Sequence, residues 1–413
     1  MTVWFPPVLC ALTAIYVGVV LFFLLGLFFP RQGLNKRQYR VSVVIAARNE
    51  EGTIEPLLQD LVHQTYPRDK YEVIVVDDGS VDRTAEIVQR YVRAYPNFHY
   101  LRPEAGDGTL SPKKQALATG IAHSSGELIL TTDADCRVRS TWIETMVSYF
   151  LPRVGMVLGF SQLGRPGEQR SLFEQLQAVD FLALMSAAAG SCNLGFPLAA
   201  SGQNLAYRRC VYEEVGGFRH IGHRVSGDDV LLVQLVRGRT RWRLRFAATP
   251  RAYNSSLPEP NLRRFFHQRV RWASNGAFQT KQNLIFFGSL LSVYLFNLAL
   301  LAGVALVPLL PGLGMAVAAS FAAKAVAELS LLVRGALFFH RRDLLVYFPL
   351  WTLLEVPYVV VVGLVGTFGN FSWKGRKMNS ALTSQQADER PEHVEGGSVT
   401  EEPEGGPAVV DQG

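Results

Sequence analysis

The sequence predicts an α/β domain, a mainly parallel sheet flanked by helices, joined to α-helical transmembrane segments. Three observations carry this. Short apolar runs alternate with helical stretches between residues 39 and 160, the pattern of a parallel sheet wrapped by helices. Long apolar stretches flank that region on both sides. Acids follow several of the short runs, as in Glu127-Leu-Ile-Leu-Thr-Thr-Asp133-Ala-Asp135.

Residues Val3 to Phe29 carry no charge, and at ~20 residues per crossing they are long enough to span a bilayer. A signal peptide would need a shorter apolar region, a charged start and a small-residue cleavage site. A transmembrane anchor over residues 1–30 is therefore expected. Arg31, Lys36, Arg37 and Arg40 follow it and place the next domain in the cytoplasm by the positive-inside rule.

The domain expected over residues 39–280 begins with a strand at Val41–Ala46. A helix follows over Glu55–Gln64, with Thr53 as its N-cap. Glu72–Asp77 reads as a second strand, and Asp82 as the cap of a helix over Arg83–Ala94. A short strand at His99–Arg102, a helix over Lys113–Ala122 and a strand over Gly126–Thr132 come next. Runs such as Val73–Val76 fit strands buried on both faces. Val154–Phe160 is another strand. Ser171–Ala189 is helical and apolar from Phe181 onward; the reading inclines to an interfacial helix rather than a core one. A helix over Val230–Arg237, a strand over Arg241–Phe246 and a helix within Leu262–Phe278 complete the domain.

Leu284–Leu310, Met315–Leu332 and Leu344–Phe368 are three further candidate spans within residues 284–370. Lys324 and Glu328 are spaced i, i+4 in the middle one and are expected to pair or face the bundle interior. Glu355 reads as a lone acid in the last span. Four full crossings from an outside N-terminus leave the C-terminus outside, yet Lys374, Arg376 and Lys377 favour the inside. Either that cluster is overruled or one segment is re-entrant. Residues 379–413 are acidic and poor in large apolar side chains, the composition of a disordered tail.

The chain has 413 residues, 48% of them hydrophobic, and a net charge of +6. That balance suits a membrane protein with a basic cytoplasmic side. Nucleic acid is set aside because no basic cluster interleaved with aromatics demands it. Cys10, Cys136, Cys192 and Cys210 lack the spacing of a zinc site or a disulfide framework.

Alternation along the strand before Asp133 and Asp135 points both carboxylates to one side at its C-terminal end, where open α/β sheets bind ligands. Two hard oxygen donors there suit Mg²⁺ or Mn²⁺ bound with a nucleotide diphosphate. Asp77 and Asp78 end another strand, and Asp228 and Asp229 form a third acidic site. Transfer of a sugar from a nucleotide needs a base for the acceptor hydroxyl, a cation for the leaving diphosphate and a pocket for the nucleoside. The three acidic sites can supply one each.

At this point the chain resembles the family 2 glycosyltransferases of the GT-A fold, in their membrane-bound branch. The motifs are Val43-Val-Ile-Ala-Ala-Arg-Asn49-Glu50, Val75-Val-Asp-Asp-Gly-Ser80, Lys113 before Ala116-Leu117, Asp133-Ala-Asp135, Gly227-Asp-Asp229 and Gln268-Arg-Val-Arg-Trp272. The resemblance extends to cellulose, chitin and hyaluronan synthases and to ceramide glucosyltransferase, whose layout is closer. It implies that Ala46, Glu50 and Asp78 hold the nucleoside, that Lys113 lies near the diphosphate or donor sugar, that Asp133 contacts the donor and that Asp135 ligates the cation. It makes Asp229, beside Asp228, the general base of an inverting transfer. Gln268, Arg271 and Trp272 match a QxxRW motif, with Arg271 on the leaving diphosphate and Trp272 on the acceptor. Gly202 and Asn204 match a segment near the acceptor. The purely structural alternatives are a helix cap for Asp228 and Asp229, a turn acid for Asp78, a solvated lysine for Lys113 and an amphipathic helix with an interfacial Trp for the last motif.

The expected protein is an integral membrane enzyme of the cell inner or plasma membrane with a cytoplasmic catalytic domain. It would move sugar from a nucleotide-diphosphate donor, UDP-linked by expectation, to a lipid or lipid-linked acceptor. A processive polysaccharide synthase is the alternative. A transporter or scaffold with a degenerate transferase domain is disfavoured by the intact acids and the few spans.

Overall fold

The computed structural model describes residues 4–103, 108–168, 170–276, 278–368, 370–373 and 376–379. Most of the expected tail therefore lies outside the described residues. Helix α1 (Phe5–Gly26) comes first. Then follow β1 (Val41–Ala47), α2 (Ile54–Val62), β2 (Tyr71–Asp77), α3 (Thr84–Ala94), β3 (Phe98–Leu101), α4 (Pro112–His123) and β4 (Leu128–Thr131). Next are β5 (Arg137–Val138), α5 (Trp142–Ser148), β6 (Val154–Gly159), β7 (Ser161–Leu163), α6 (Leu172–Asn193), β8 (Leu205–Arg208) and α7 (Arg209–Glu214). After these come α8 (Val230–Arg239), β9 (Arg243–Ala247), β10 (Asn254–Ser256), α9 (Leu262–Ala273) and α10 (Gln279–Gln282). Helices α11 (Leu284–Leu306), α12 (Leu313–Phe338) and α13 (Phe348–Phe368) lead to the hairpin strands β11 (Asn370–Trp373) and β12 (Arg376–Asn379).

The main sheet has seven strands in the order β3-β2-β1-β4-β8-β6-β9. Only the pairings of β8, with β4 and with β6, are antiparallel. A second sheet holds β5, β10 and β7. Alternation divides the strand residues between two faces. Val43, Ile45, Val73 and Val75 pack with α2, α3 and α5, while Val44, Ile129, Met156 and Leu158 pack with α4, α8 and α6. The second of these clusters continues into α1, α11 and α12, so sheet and helical bundle share one apolar core.

Two helix starts differ from expectation. Thr53 occupies the N-cap of α2 but makes no capping bond; its hydroxyl donates to Glu50 Oε2 instead. Arg83, not Asp82, occupies the N-cap of α3; Asp82, one residue earlier, still accepts from the Thr84 amide at 3.0 Å.

Helix α6 is a buried joint rather than an interfacial helix. Phe181, Leu182, Met185, Ala188 and Ala189 are all buried, because β7 and β9 cover one side and α1 and α12 the other. It begins with a capping box, Ser171 and Glu174 bonding each other's backbone amides. It crosses α1 on paired glycines. A Cβ on Gly190 would stand 2.1 Å from the Phe23 carbonyl oxygen, and one on Gly26 would stand 1.9 Å from the Gly190 oxygen. Asn193 and Arg334 donate to the Gly26 and Leu27 carbonyls at 3.1 and 2.8 Å, satisfying acceptors that the end of α1 leaves open.

Among the described residues, four helices are long and apolar enough to cross a membrane: Phe5–Gly26, Leu284–Leu309, Leu313–Phe338 and Arg342–Phe368. Lys324 is fully buried and pairs with Glu328 at 2.7 Å and Glu355 at 2.6 Å. Glu355 is therefore not a lone acid. Its cation lies 31 residues earlier in the chain. Tyr16 and Thr352 also donate to Glu328, so this charge cluster ties α1, α12 and α13 together in place of water.

Candidate active site

The site is built where strands of the main sheet end. After β1 the chain turns through Arg48, Asn49 and Glu50. Asn49 takes a left-handed φ of 53°, which asparagine tolerates better than most residues. Its side-chain oxygen accepts from the Val81 amide at 3.0 Å, and the Glu50 amide donates to Thr84 Oγ1 at 2.8 Å. The loops after β1 and β2 are thus stitched together. Asp77 and Asp78 then separate in role. Asp77 is buried and accepts from the Ser80 amide and the Tyr100 hydroxyl, a structural turn acid. Asp78 faces the cavity, and Arg48 donates to its carboxylate at 3.2 Å and its carbonyl at 3.0 Å.

After β4, Asp133 and Asp135 both line the same cavity. Burial, then repulsion from Asp133 and Glu50, pushes the Asp135 carboxyl up to about 7. A crowded acid of this kind is relieved by a cation. Among the described residues no three His, Cys, Asp or Glu side chains form a metal cage. One or two carboxylates completed by phosphate oxygens and water is, however, the usual manner of Mg²⁺ binding beside a nucleotide. The donor set fits Mg²⁺ or Mn²⁺, which Asp135, with Asp133 alongside, could hold.

Lys113, in the first turn of α4, joins the acidic sites. Its Nζ lies 2.8 Å from Asp133 and 2.9 Å from Asp228. Burial alone would lower this ammonium, but Asp133 and Asp228 outweigh it and hold it above the ordinary lysine range. Burial raises the Asp228 carboxyl, yet Lys113 and Lys114 prevail and keep it below its ordinary value. Asp229 is shifted the other way, raised by burial and by Asp228. It accepts from the Val230 amide at 2.6 Å, as the cap of α8, and from the Gly202 amide at 2.8 Å. Capping and access to the cavity coexist, since Asp228 and Asp229 both line it. Gly227, just before them, has a φ of 90°, where a side chain would be strained.

Helix α9 brings the last motif to the same cavity, which Gln268, Arg271 and Trp272 all line. Gln268 donates to Glu259 at 2.9 Å and accepts from Arg269 at 2.7 Å. Arg269 is buried against Asp180 of α6, with Nη2 2.7 Å from the carboxylate, and lies 4.2 Å from the Trp272 ring centroid. Burial lowers the Arg271 guanidinium, against the nearby Asp228 and Asp229. Asn275 donates to Ser226 at 2.8 Å, fixing the end of α9 to the loop that carries Asp228.

Of the expected residues, Ala46, Glu50, Asp78, Lys113, Asp133, Asp135, Asp228, Asp229, Gln268, Arg271 and Trp272 meet around one cavity of about 1090 Å³. Asn204 does not. It is fully buried, accepts from Trp142 Nε1 at 2.9 Å and donates to the Phe160 and Ala252 carbonyls. These bonds make it a structural tie beneath the site; its neighbours Gly202 and Gln203 line the cavity instead. Sequence reasoning missed Arg48, whose signal was a cation one residue past the first strand. It also missed Lys114, fully buried, which donates to the Arg224 and Ser226 carbonyls and so braces the loop ahead of Asp228. The far end of the cavity is apolar, walled by Phe286, Phe287 and Leu290 of α11 and by Val359, Val362 and Leu364 of α13.

The model of glycosyl transferase family 2 matches residues 42–177, and that of glycosyl transferase family group 2 matches residues 128–365. Glycosyltransferase AglE of Haloferax volcanii is 33% identical over 196 residues, 46% of this chain and 59% of that one. Beta-monoglucosyldiacylglycerol synthase of Synechocystis is 27% identical over 250 residues, 57% of this chain and 48% of that one. Poly-beta-1,6-N-acetyl-D-glucosamine synthase of Staphylococcus epidermidis is 24% identical over 284 residues, covering 66% and 64%. The chain thus spans about half to two thirds of the curated relatives it matches. Mannosyltransferase PcManGT from Pyrobaculum calidifontis, solved with GDP-Man and Mn²⁺, superimposes with a TM-score of 0.58 at 22% identity over 88% of this chain and 98% of that one. The seven-stranded mixed sheet and this likeness give the domain the GT-A fold, and with the second family match spanning residues 128–365 the chain belongs to glycosyl transferase family group 2.

Proposed function

We propose that the protein is an inverting, metal-dependent glycosyltransferase that moves a sugar from a UDP-linked donor to a membrane lipid or lipid-linked acceptor at the cytoplasmic bilayer face. The observation that carries this is the continuity of the cavity. Its polar end gathers Asp78, Asp133, Asp135, Asp228 and Asp229, and its other end opens between two long apolar helices, α11 and α13. A lipid can lay its chains in that apolar cleft while its hydroxyl reaches the carboxylates. The Synechocystis relative, a beta-monoglucosyldiacylglycerol synthase, agrees with this choice of acceptor.

In this reading Ala46, Glu50 and Asp78 cradle the nucleoside and Lys113 faces the diphosphate and the donor sugar. Asp135 holds the divalent ion, with Asp133 beside it, and the ion supplies charge neutralisation for the departing diphosphate. Asp229 takes the proton from the acceptor hydroxyl as its oxygen bonds to the anomeric carbon and the bond from that carbon to the diphosphate breaks. One base and a single displacement invert the configuration. Arg271 stabilises the leaving phosphate charge, and Trp272, held by Arg269, offers a face to the acceptor.

The test is transfer by detergent-purified protein from a panel of radiolabelled UDP- and GDP-sugars to a native lipid extract. Label should move into the organic phase from one UDP-sugar, stop with EDTA and return with Mg²⁺ or Mn²⁺. Label in a water-soluble polymer would favour a polysaccharide synthase, and indifference to EDTA would remove the ion.

A further inference from the structure

Residues 237–246 correct one ground of the sequence reading. They are a basic cluster with aromatics among its charges: Arg-Gly-Arg-Thr-Arg-Trp-Arg-Leu-Arg-Phe, an arginine at every second position from 237 to 245. Among the described residues, none of these five arginines forms an ion pair with an acid. On β9 the alternation sends Arg243 and Arg245 to one face and buries Leu244 and Phe246 on the other. Strand β9 is also an edge of the main sheet, so no further strand covers that side. Arg239, Arg241 and Arg243, with Arg153, line a groove of about 770 Å³. The acid in that groove, Glu214, accepts from Trp242 Nε1 at 2.8 Å.

The position of the stripe decides what it faces. Arg237 lies 5.5 Å from the centroid of Phe196, which meets Phe22 of α1 edge to face at 6.2 Å. Burial and then Arg31, the first charge after α1, lower the Arg245 guanidinium. At that same end of α1, Phe28 and Phe29 are 57% and 51% exposed, and Phe196 is 42% exposed. Exposed aromatics beside unpaired arginines, where a spanning helix leaves the bilayer, are the composition of the headgroup layer.

We propose that the stripe from Arg237 to Arg245 is a docking surface for the anionic phospholipid headgroups of the leaflet next to the catalytic domain. Phosphate groups occupy the groove beside Arg153 and pair with arginines that form no ion pair with an acid among the described residues. The stripe then seats the sheet edge on the membrane on the flank where α1 leaves it. This does not depend on which sugar or acceptor the active site uses.

The test places the full-length protein in nanodiscs of phosphatidylcholine alone and in nanodiscs with 30% phosphatidylglycerol. Amide hydrogen exchange of residues 239–247 is followed by mass spectrometry. Exchange should slow at least threefold with phosphatidylglycerol, return with 0.5 M NaCl and show no slowing in the variant R237Q/R241Q/R243Q/R245Q. The corresponding Arg→Lys variant should keep the effect, because headgroup attraction follows charge. Equal exchange of the wild-type protein in the two nanodiscs, a comparison that needs no variant, would overturn the proposal. So would protection that heparin or single-stranded RNA confers in phosphatidylcholine discs and phosphatidylglycerol does not, which would assign the stripe to a soluble polyanion.

Discussion

The proposed reaction places its base on one side chain, Asp229. Its two oxygens accept from the Val230 and Gly202 amides; an asparagine keeps the side chain's size and one of these two acceptors while losing the charge that binds a proton. Asp229→Asn should therefore lower kcat by at least ~10²-fold, the usual worth of a general base. Nucleotide affinity should stay within roughly twofold, because the change touches the transition state rather than ground-state binding. Normal turnover would remove Asp229 from the role. The pH dependence has a definite sign. Burial and then Asp228 raise this carboxyl, so the base is protonated, and the rate lost, at a higher pH than for an ordinary aspartate. The acid limb of kcat/KM should lie above ~4; a limb below that value would mean another group controls it. The acids at strand ends were legible because alternation and an apolar run fix where such side chains point. Asn204 was misplaced because a short polar motif does not say which way its side chain turns. Its partners Trp142, Phe160 and Ala252 are distant in sequence.

Among the elements, α6 decides how catalytic domain and membrane bundle are joined. Its apolar second half is equally compatible with a bilayer surface and a protein core, and composition alone does not separate the two. The difference lies in long-range packing, above all the crossing with α1. Gly190 has no room for a side chain there, its Cβ position being 2.1 Å from a backbone oxygen of α1. Gly190→Leu must push the helices apart, with a cost of about 1–3 kcal/mol or more from overpacking. Thermal unfolding in detergent should show a clearly lowered Tm. Gly288→Leu, at a position with open space around it, should not. Equal melting of the two variants would show that α1 and α6 do not cross as closely as described. Strands β5, β7, β8 and β10 were not anticipated; the six expected strands, by contrast, lie within one or two residues of their positions at each end. Their β-branched runs admit little else once both faces are buried.

At the scale of the whole molecule, the conflict between four crossings and a basic C-terminal cluster turns on the path of α13. Helices α1, α11 and α12 run together from one end, where Gly303 meets Val317 and Phe5, to the other, where Arg334 meets Leu27. Helix α13 starts beside the catalytic domain and reaches mid-bundle depth where Glu355 meets Lys324. It then turns away from the far end. Tyr358 stacks on Phe265 of α9 at 5.8 Å. A Cβ on Gly366 would lie 2.6 Å from that of Ala273, at the end of α9. Strand β11 also contacts α9. A helix of 21 residues is ~31 Å long, enough to cross, but Pro357 within it weakens the straight ladder and the contacts describe an oblique course back to α9. Residues 370–373 and 376–379 should therefore lie on the same side of the membrane as the sheet. With Cys10 and Cys210 replaced, Asn379→Cys and the exposed-site variant Arg83→Cys should react with an impermeant maleimide from the same face of oriented vesicles. Labelling from opposite faces would mean that α13 crosses completely and that the cleft facing the carboxylates is closed by something other than its second half.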